Sequence, residues 1–157
     1  MGIAIAQPPL IQILTNAKAP YNVSAPSAYL ARAALTPLAL ESVREKIQAL
    51  IGSRGELLKI FATLAPLGLG EPIGANEANF ILIPILDGPG GTPDNRRAQN
   101  VYRILAEEKG VVVRYRGGEP GCLGCVRITV GSGEENEILI NRLKEVLAST
   151  QSQSSTS

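Results

Sequence analysis

Histidine is absent from the 157 residues, which removes the commonest general base and the commonest metal ligand. Cysteine occurs only as Cys122 and Cys125, in a single C-x-x-C. One such pair is half of a structural zinc site, and no second pair or histidine exists to complete it, so no metal is expected. A thioredoxin-like pair would open a helix. This one runs into a β-branched strand, and Gly121 and Gly124 make it read as a turn carrying two reduced thiols. Excess charge is missing as well: 15 Lys plus Arg stand against 14 Asp plus Glu. The longest basic cluster is Arg96-Arg97, too small for a nucleic-acid footprint, so no nucleic-acid partner is expected. Long hydrophobic runs are lacking too. The apolar start meets Pro8-Pro9 at once and has no basic residue before Lys18, which excludes a signal peptide or a membrane span there. Ala6 occupies the place where a myristoylation signal wants Ser or Thr. No membrane is expected, and a cytoplasmic location is the default.

What is present is a 45% apolar chain with 18% charged residues, enough for one domain with a real core. Gly2 to Ala6 reads as a short buried strand, and Pro9 opens a helix over Leu10, Ile11, Ile13 and Leu14. A short helix is predicted around Ala25 to Leu35. Thr36-Pro37 then gives an N-cap and a proline at the first helical position. Leu40, Val43, Ile47, Leu50, Leu57, Ile60, Phe61 and Leu64 recur at helical spacing, predicting one long helix to about Ala65, weakened at Gly52 and Gly55. Asn79 to Leu86 reads as a strand. Asp87-Gly-Pro-Gly-Gly91 lacks the ending of a P-loop and the spacing of a dinucleotide motif, so it is a turn. Thr92-Pro93 repeats the cap signal before a helix with Ala98, Val101, Ile104 and Leu105 on one face, stopped by Gly110. Strands are predicted over Val111 to Arg116 and Val126 to Val130. Ser132 and Glu135 form a capping box for a last amphipathic helix through Ile138, Leu139, Leu143, Val146 and Leu147. The order helix, strand, helix, strand, strand, helix predicts an α/β (α+β) two-layer sandwich, a short and mainly antiparallel sheet with helices on one side.

The strand period of two sends Val126, Ile128 and Val130 to one face and Arg127 and Thr129 to the other. Val112, Arg114 and Arg116 likewise oppose Val111, Val113 and Tyr115. If the two strands pair, two or three guanidinium groups meet on one face, with Glu119 the only carboxylate in the hairpin. Guanidinium groups clamp carboxylate or phosphate through paired hydrogen bonds, so a small-anion site is one reading. An ordinary solvent-facing strand is the other, and the alternation alone accounts for it.

Four stretches carry a resemblance. Lys18-Ala-Pro-Tyr-Asn-Val-Ser24, Asn76-Glu-Ala-Asn-Phe80, Gly110-Val-Val-Val-Arg114 and Cys125-Val-Arg-Ile-Thr-Val-Gly131 occur in the order and at about the spacing of histidinol-phosphate aminotransferases. Glu134-Glu-Asn follows as in that family. Over Gly2 to about Leu147 the chain resembles the C-terminal part of these fold type I pyridoxal-phosphate enzymes. The resemblance implies the small C-terminal domain of that fold, over residues 23–148. Residues 1–22 would then be a remnant of a large-domain strand with the crossing segment, and residues 149–157 a disordered tail. It implies transfer of an amino group between histidinol phosphate and 2-oxoglutarate in histidine biosynthesis, with pyridoxal phosphate as cofactor and a homodimer as the assembly. Arg127 looks like the arginine that grips the anionic end of the substrate and Arg114 like its second anion contact. Asn79 resembles a position at the mouth of the site, and Tyr21 lies in the crossing segment near it.

One departure matters. In the family a Ser-Lys motif and then Gly-x-Arg-x-Gly precede the stretch that begins here, and Gly2 resembles the last glycine of that motif. Lys18, Lys46, Lys59, Lys109 and Lys144 do not match the lysine that holds the cofactor. The aspartate that pairs with the pyridine nitrogen and the aromatic that stacks on the ring also have no counterpart. No catalytic residue and no covalently bound cofactor are therefore expected of this chain, which reads as a truncated aminotransferase inactive alone. The alternatives are a stand-alone module binding phosphate or carboxylate, and a fragment of another fold type I amino-acid aminotransferase.

Overall fold

The computed structural model describes residues 2–151. Helices α1 (Pro8–Ala17), α2 (Ala25–Ala34) and α3 (Pro37–Ala62) come first, then a single 3-10 turn over Ala65–Leu67. Strand β1 (Phe80–Pro84), helix α4 (Asn95–Glu107), strands β2 (Arg114–Tyr115) and β3 (Cys125–Thr129), and helix α5 (Gly133–Gln151) follow. The chain divides into two compact units, residues 1–47 and 48–157, with the division inside α3.

The first unit carries α1, α2 and the start of α3. Ser24 caps α2 by accepting from the Ser27 amide at 3.3 Å, and the Thr36 hydroxyl accepts from the Ala39 amide at 3.4 Å at the start of α3. No residue of 2–47 is buried. The strand expected over Gly2 to Ala6 is not formed: those residues are exposed and lie in no helix or strand. An apolar run becomes a strand only where a neighbour takes its amides and carbonyls, and none among the described residues does.

The second unit holds the core. Gly52 and Gly55 do not break α3; both lie within it, where an added Cβ would meet nothing within 4 Å. Leu57, Phe61 and Leu64, spaced four and three apart, are buried, as one stripe of a helix should be. They pack with Ile81, Ile83, Ala98, Val101, Leu105, Val126, Ile128, Leu143 and Leu147 in one cluster. The sheet has the order β1-β3-β2 and is antiparallel throughout. Ile81 pairs with Ile128 and Ile83 with Val126, forming its buried face. On the outer edge of β1, the Gly70 amide donates to the Pro84 carbonyl at 2.9 Å and the Ile73 amide to the Leu82 carbonyl at 2.8 Å.

Three local expectations are corrected. The Thr92-Pro93 signal does not cap α4. The cap is Asp94, whose carboxylate accepts from the Arg96 amide at 2.7 Å, while the Thr92 amide and hydroxyl are committed to Asp87 at 2.9 and 3.2 Å. The strand from Val111 shrinks to Arg114–Tyr115. After left-handed Gly110 (φ 68°) the Val111 amide is taken by the Leu105 carbonyl at the end of α4, 2.8 Å away. The tail also starts later than composition suggests, because α5 runs to Gln151. Thr150 is buried and its hydroxyl donates to the Val146 carbonyl at 2.9 Å. The rest of the expected tail, residues 152–157, lies outside the described residues, as does Met1.

Arg97, half of a dipeptide dismissed as too small a basic cluster, is 6% exposed. Its guanidinium donates to the carbonyls of Leu67 at 2.8 Å, Leu147 at 2.9 Å and Leu86, and to the Thr150 hydroxyl at 3.4 Å. Burial lowers its pKa and the carboxylates of Asp94 and Asp87 work against that fall. Gly68 (φ 78°) has no room for a side chain here, since a Cβ would come within 2.2 Å of an Arg97 nitrogen.

Two predictions follow from this packing. Arg97→Ala removes the guanidinium donor from the part-buried carbonyls of Leu67 and Leu86, at about 1–3 kcal/mol each. Its unfolding free energy in urea should therefore fall by roughly 3 kcal/mol or more, and an unchanged midpoint would show the clamp to be dispensable. The second concerns acid. Glu135 accepts from the Ser132 amide at 2.8 Å and from the Ser132 hydroxyl at 2.9 Å, which together hold its carboxyl below the usual range. A depressed carboxylate stabilises the fold above its unfolded pKa of about 4.3 and loses that contribution as pH falls through the folded value. Urea midpoints of the wild type should drop across this acid window, and Glu135→Gln should flatten part of the drop.

Candidate anion site on the open sheet face

The register of three strands builds the site. Leu82 of β1 pairs with Arg127 of β3, and Arg127 pairs in turn with Arg114 of β2. Directly paired residues project to the same side of a sheet, so these three form one row on the face away from the buried Ile81, Ile83, Val126 and Ile128. The expectation that Arg114 and Arg127 meet is thus realised in direct register across the two strands. Phe80, two residues before Leu82, lies under the Arg127 guanidinium, 5.4 Å from ring centroid to carbon. An aromatic face at that distance attracts the cation by about 0.5–1 kcal/mol.

The electrostatics of the row are unbalanced. Neither arginine has a carboxylate partner among the described residues. The Arg127 Nε–H is buried and meets no acceptor, a loss of about 1–3 kcal/mol for an unsatisfied donor. Arg114 is exposed and has one long bond, from Nη1 to the carbonyl of Val113 at 3.4 Å. Like charges directly opposite on a sheet repel. A phosphate or carboxylate between them would relieve the repulsion and accept from the orphaned Nε. The third guanidinium of the hairpin is not available, because Arg116 is held by Glu119 at 2.8 Å.

Asn79 is exposed and stands one position before β1, with its carbonyl accepting from the Val130 amide at 2.9 Å. The alternation along β1 puts it out of phase with Phe80 and Leu82, so the structure does not add it to the row. Tyr21 belongs to the first unit, where it is fully exposed with a left-handed backbone (φ 55°). Phe80 is the member that sequence reasoning missed; its place two residues from Leu82, on a strand facing Arg127, was the available signal.

Comparison with known proteins shows the family. The family described as aminotransferase class I and II matches residues 1–143. The chain belongs to the class I and II aminotransferases. Among curated members, histidinol-phosphate aminotransferase of Schizosaccharomyces pombe is 43% identical over 148 residues, covering 94% of this chain and 38% of the relative. The Saccharomyces cerevisiae enzyme of the same name is 39% identical over 147 residues, covering 94% and 37%. This aminotransferase chain therefore spans less than two fifths of the length of the curated relatives it matches. Two solved structures share its fold at lower identity. A decarboxylase from Sulfurospirillum multivorans superposes with a TM-score of 0.69 at 22% identity, covering 88% of this chain and 36% of that one. Histidinol-phosphate aminotransferase from Sinorhizobium meliloti, in complex with pyridoxal-5'-phosphate, gives 0.57 at 23% identity over 70% and 27%.

The orphaned donor generates a test in solution. Inorganic phosphate or sulfate should raise the melting temperature of the wild-type chain in low-salt buffer by occupying the row. Arg127→Ala should abolish that rise. Arg114→Ala should weaken it while leaving the anion-free protein as stable or more so, because a like-charge pair is removed. An equal rise in all three proteins would assign the effect to salt in general.

Proposed function

We propose that this chain supplies the part of a histidinol-phosphate transaminase that grips the anionic end of its substrates. The observation that carries the reading is the buried Arg127 Nε–H without an acceptor, directly across from Arg114. The reaction, histidinol phosphate plus 2-oxoglutarate giving imidazole-acetol phosphate plus glutamate, presents a phosphate from one side and carboxylates from the other. A planar guanidinium fork suits both anions, where an ammonium would act only as a point charge. In this reading Arg127 takes the anion and Arg114 makes the second contact. A cytoplasmic location and the family's homodimer go with it.

Pyridoxal phosphate, the cofactor the family implies, supplies the electron sink for transamination when a lysine holds it. The residues here do not fit that covalent seat. The open face of the sheet presents Phe80, Leu82, Arg114, Arg127 and Thr129 and no lysine. Lys59 and Lys144 are exposed on α3 and α5, and Lys109 is ion-paired with Glu145 at 2.8 Å. Lys18 and Lys46 are exposed in the first unit. The chain alone is accordingly proposed to be inactive as a transaminase. A stand-alone module for phosphate or carboxylate is the second reading, favoured by the arginine row being complete within one compact unit.

Calorimetry with the 157-residue chain tests the proposal. Histidinol phosphate should bind saturably without cofactor, Arg127→Ala should weaken binding at least about tenfold (~1.4 kcal/mol), and aspartate or an aromatic amino acid should bind less well. With cofactor added, the chain should form no glutamate from histidinol phosphate and 2-oxoglutarate. Failure to bind would remove the substrate-gripping role. Glutamate formation would overturn the claim of inactivity.

A further inference from the structure

Cys122 and Cys125 stand outside the anion site, and neither the fold nor the proposed function uses their thiols. Both are free. The segment from Cys122 to Cys125 is a closed four-residue turn, with the Cys125 amide donating to the Cys122 carbonyl at 2.9 Å. Its third residue is Gly124, whose φ of 67° lies in the left-handed region that such a turn needs at that place. A hydrogen-bonded turn of this kind brings its end Cα atoms within about 7 Å, close to the window of about 4.4–6.8 Å that a disulfide requires.

The surroundings hold this geometry. The Gly124 amide donates to Asn95 Oδ1 at 2.7 Å, and its carbonyl accepts from the Ile85 amide at 2.9 Å. A Cβ on Gly124 would lie 2.8 Å from both the Asp94 nitrogen and the Ile85 oxygen, so the turn is fixed against two other segments. The Cys125 Sγ is directed back over the turn, donating to the Leu123 carbonyl at 3.5 Å. Cys125 is buried and Cys122 half-buried. No group of three or more His, Cys, Asp or Glu that could hold a metal ion occurs among the described residues, so a shared metal does not account for the pair.

We propose that Cys122 and Cys125 form a reversible dithiol–disulfide couple at the foot of the hairpin that carries Arg114 and Arg127. The oxidant is a low-molecular-weight disulfide such as glutathione disulfide. The Cys122 thiolate attacks one of its sulfurs, the reagent's S–S bond breaks, and one reagent thiolate leaves. Cys125 then gives up its proton and attacks the Cys122 sulfur, breaking the mixed disulfide and releasing the second reagent thiol. Two cysteine thiols are oxidised and one reagent disulfide is reduced to two thiols. The order follows from access. Burial first, and the neighbouring Cys122 second, push the Cys125 thiol up to about 11, so it is the resolving group and the more open Cys122 meets the reagent first.

The test uses the whole reduced chain incubated with glutathione disulfide, followed by intact mass and by alkylation of remaining thiols. The wild type should end lighter by two hydrogens with neither cysteine alkylated, and dithiothreitol should restore both. Cys125→Ser should stop as a glutathione adduct on Cys122. Cys122→Ser should stay unmodified over the same interval, because Cys125 is buried. A wild type that keeps the glutathione adduct without closing, or that links only as an intermolecular dimer, would overturn the proposal.

Discussion

The second unit depends on one buried cation. Arg97 ties the 3-10 turn after α3, the end of β1 and the last turn of α5 to α4 through the carbonyls of Leu67, Leu86 and Leu147. The carbonyls of Leu67 and Leu86 lie outside helix and strand and need a donor from elsewhere, while that of Leu147 also accepts from the Thr150 hydroxyl at 3.2 Å. A hydrocarbon side chain in the same space would pack but would leave the first two carbonyls unsatisfied. The arginine thus converts a need of two segments into a connection among three, and it fixes how the sheet edge lies against the last helix.

The second arginine cluster is arranged in the opposite sense. Arg97 has its donors satisfied from four directions, whereas Arg127 has a buried N–H directed at nothing and a second guanidinium across the strand. The same residue type is structural where the backbone supplies acceptors and poised for a ligand where it does not. Phe80 shows how the fold tolerates the second case, since its ring offsets part of the charge without competing for the hydrogen-bond directions.

Much of this was legible in the residues. The period of two assigned the faces of β2 and β3, the Ser132–Glu135 box started α5, and Gly110 ended α4 with the expected left-handed turn. Arg114 and Arg127 were recognisable as a pair, although their direct register depends on the length of the loop between them. What escaped was set by distant partners. Arg97 looked like a surface charge because its four acceptors are 11 to 53 residues away. Thr92 resembled a cap until Asp87 claimed its hydroxyl. Gly2 to Ala6 had the composition of a strand but no neighbour among the described residues to pair with. Local pattern gives preference, and only the assembled chain decides who answers each donor.

The segment over residues 69–73, which donates to the carbonyls of Pro84 and Leu82 along β1, has a consequence for how the molecule lives among others. An open sheet edge invites a strand from a second chain to add on, and repeated addition ends in insoluble fibrils. Here irregular backbone occupies that edge, and the strand on the opposite side of β3 is only two residues long. Neither border offers the extended template that fibril growth requires.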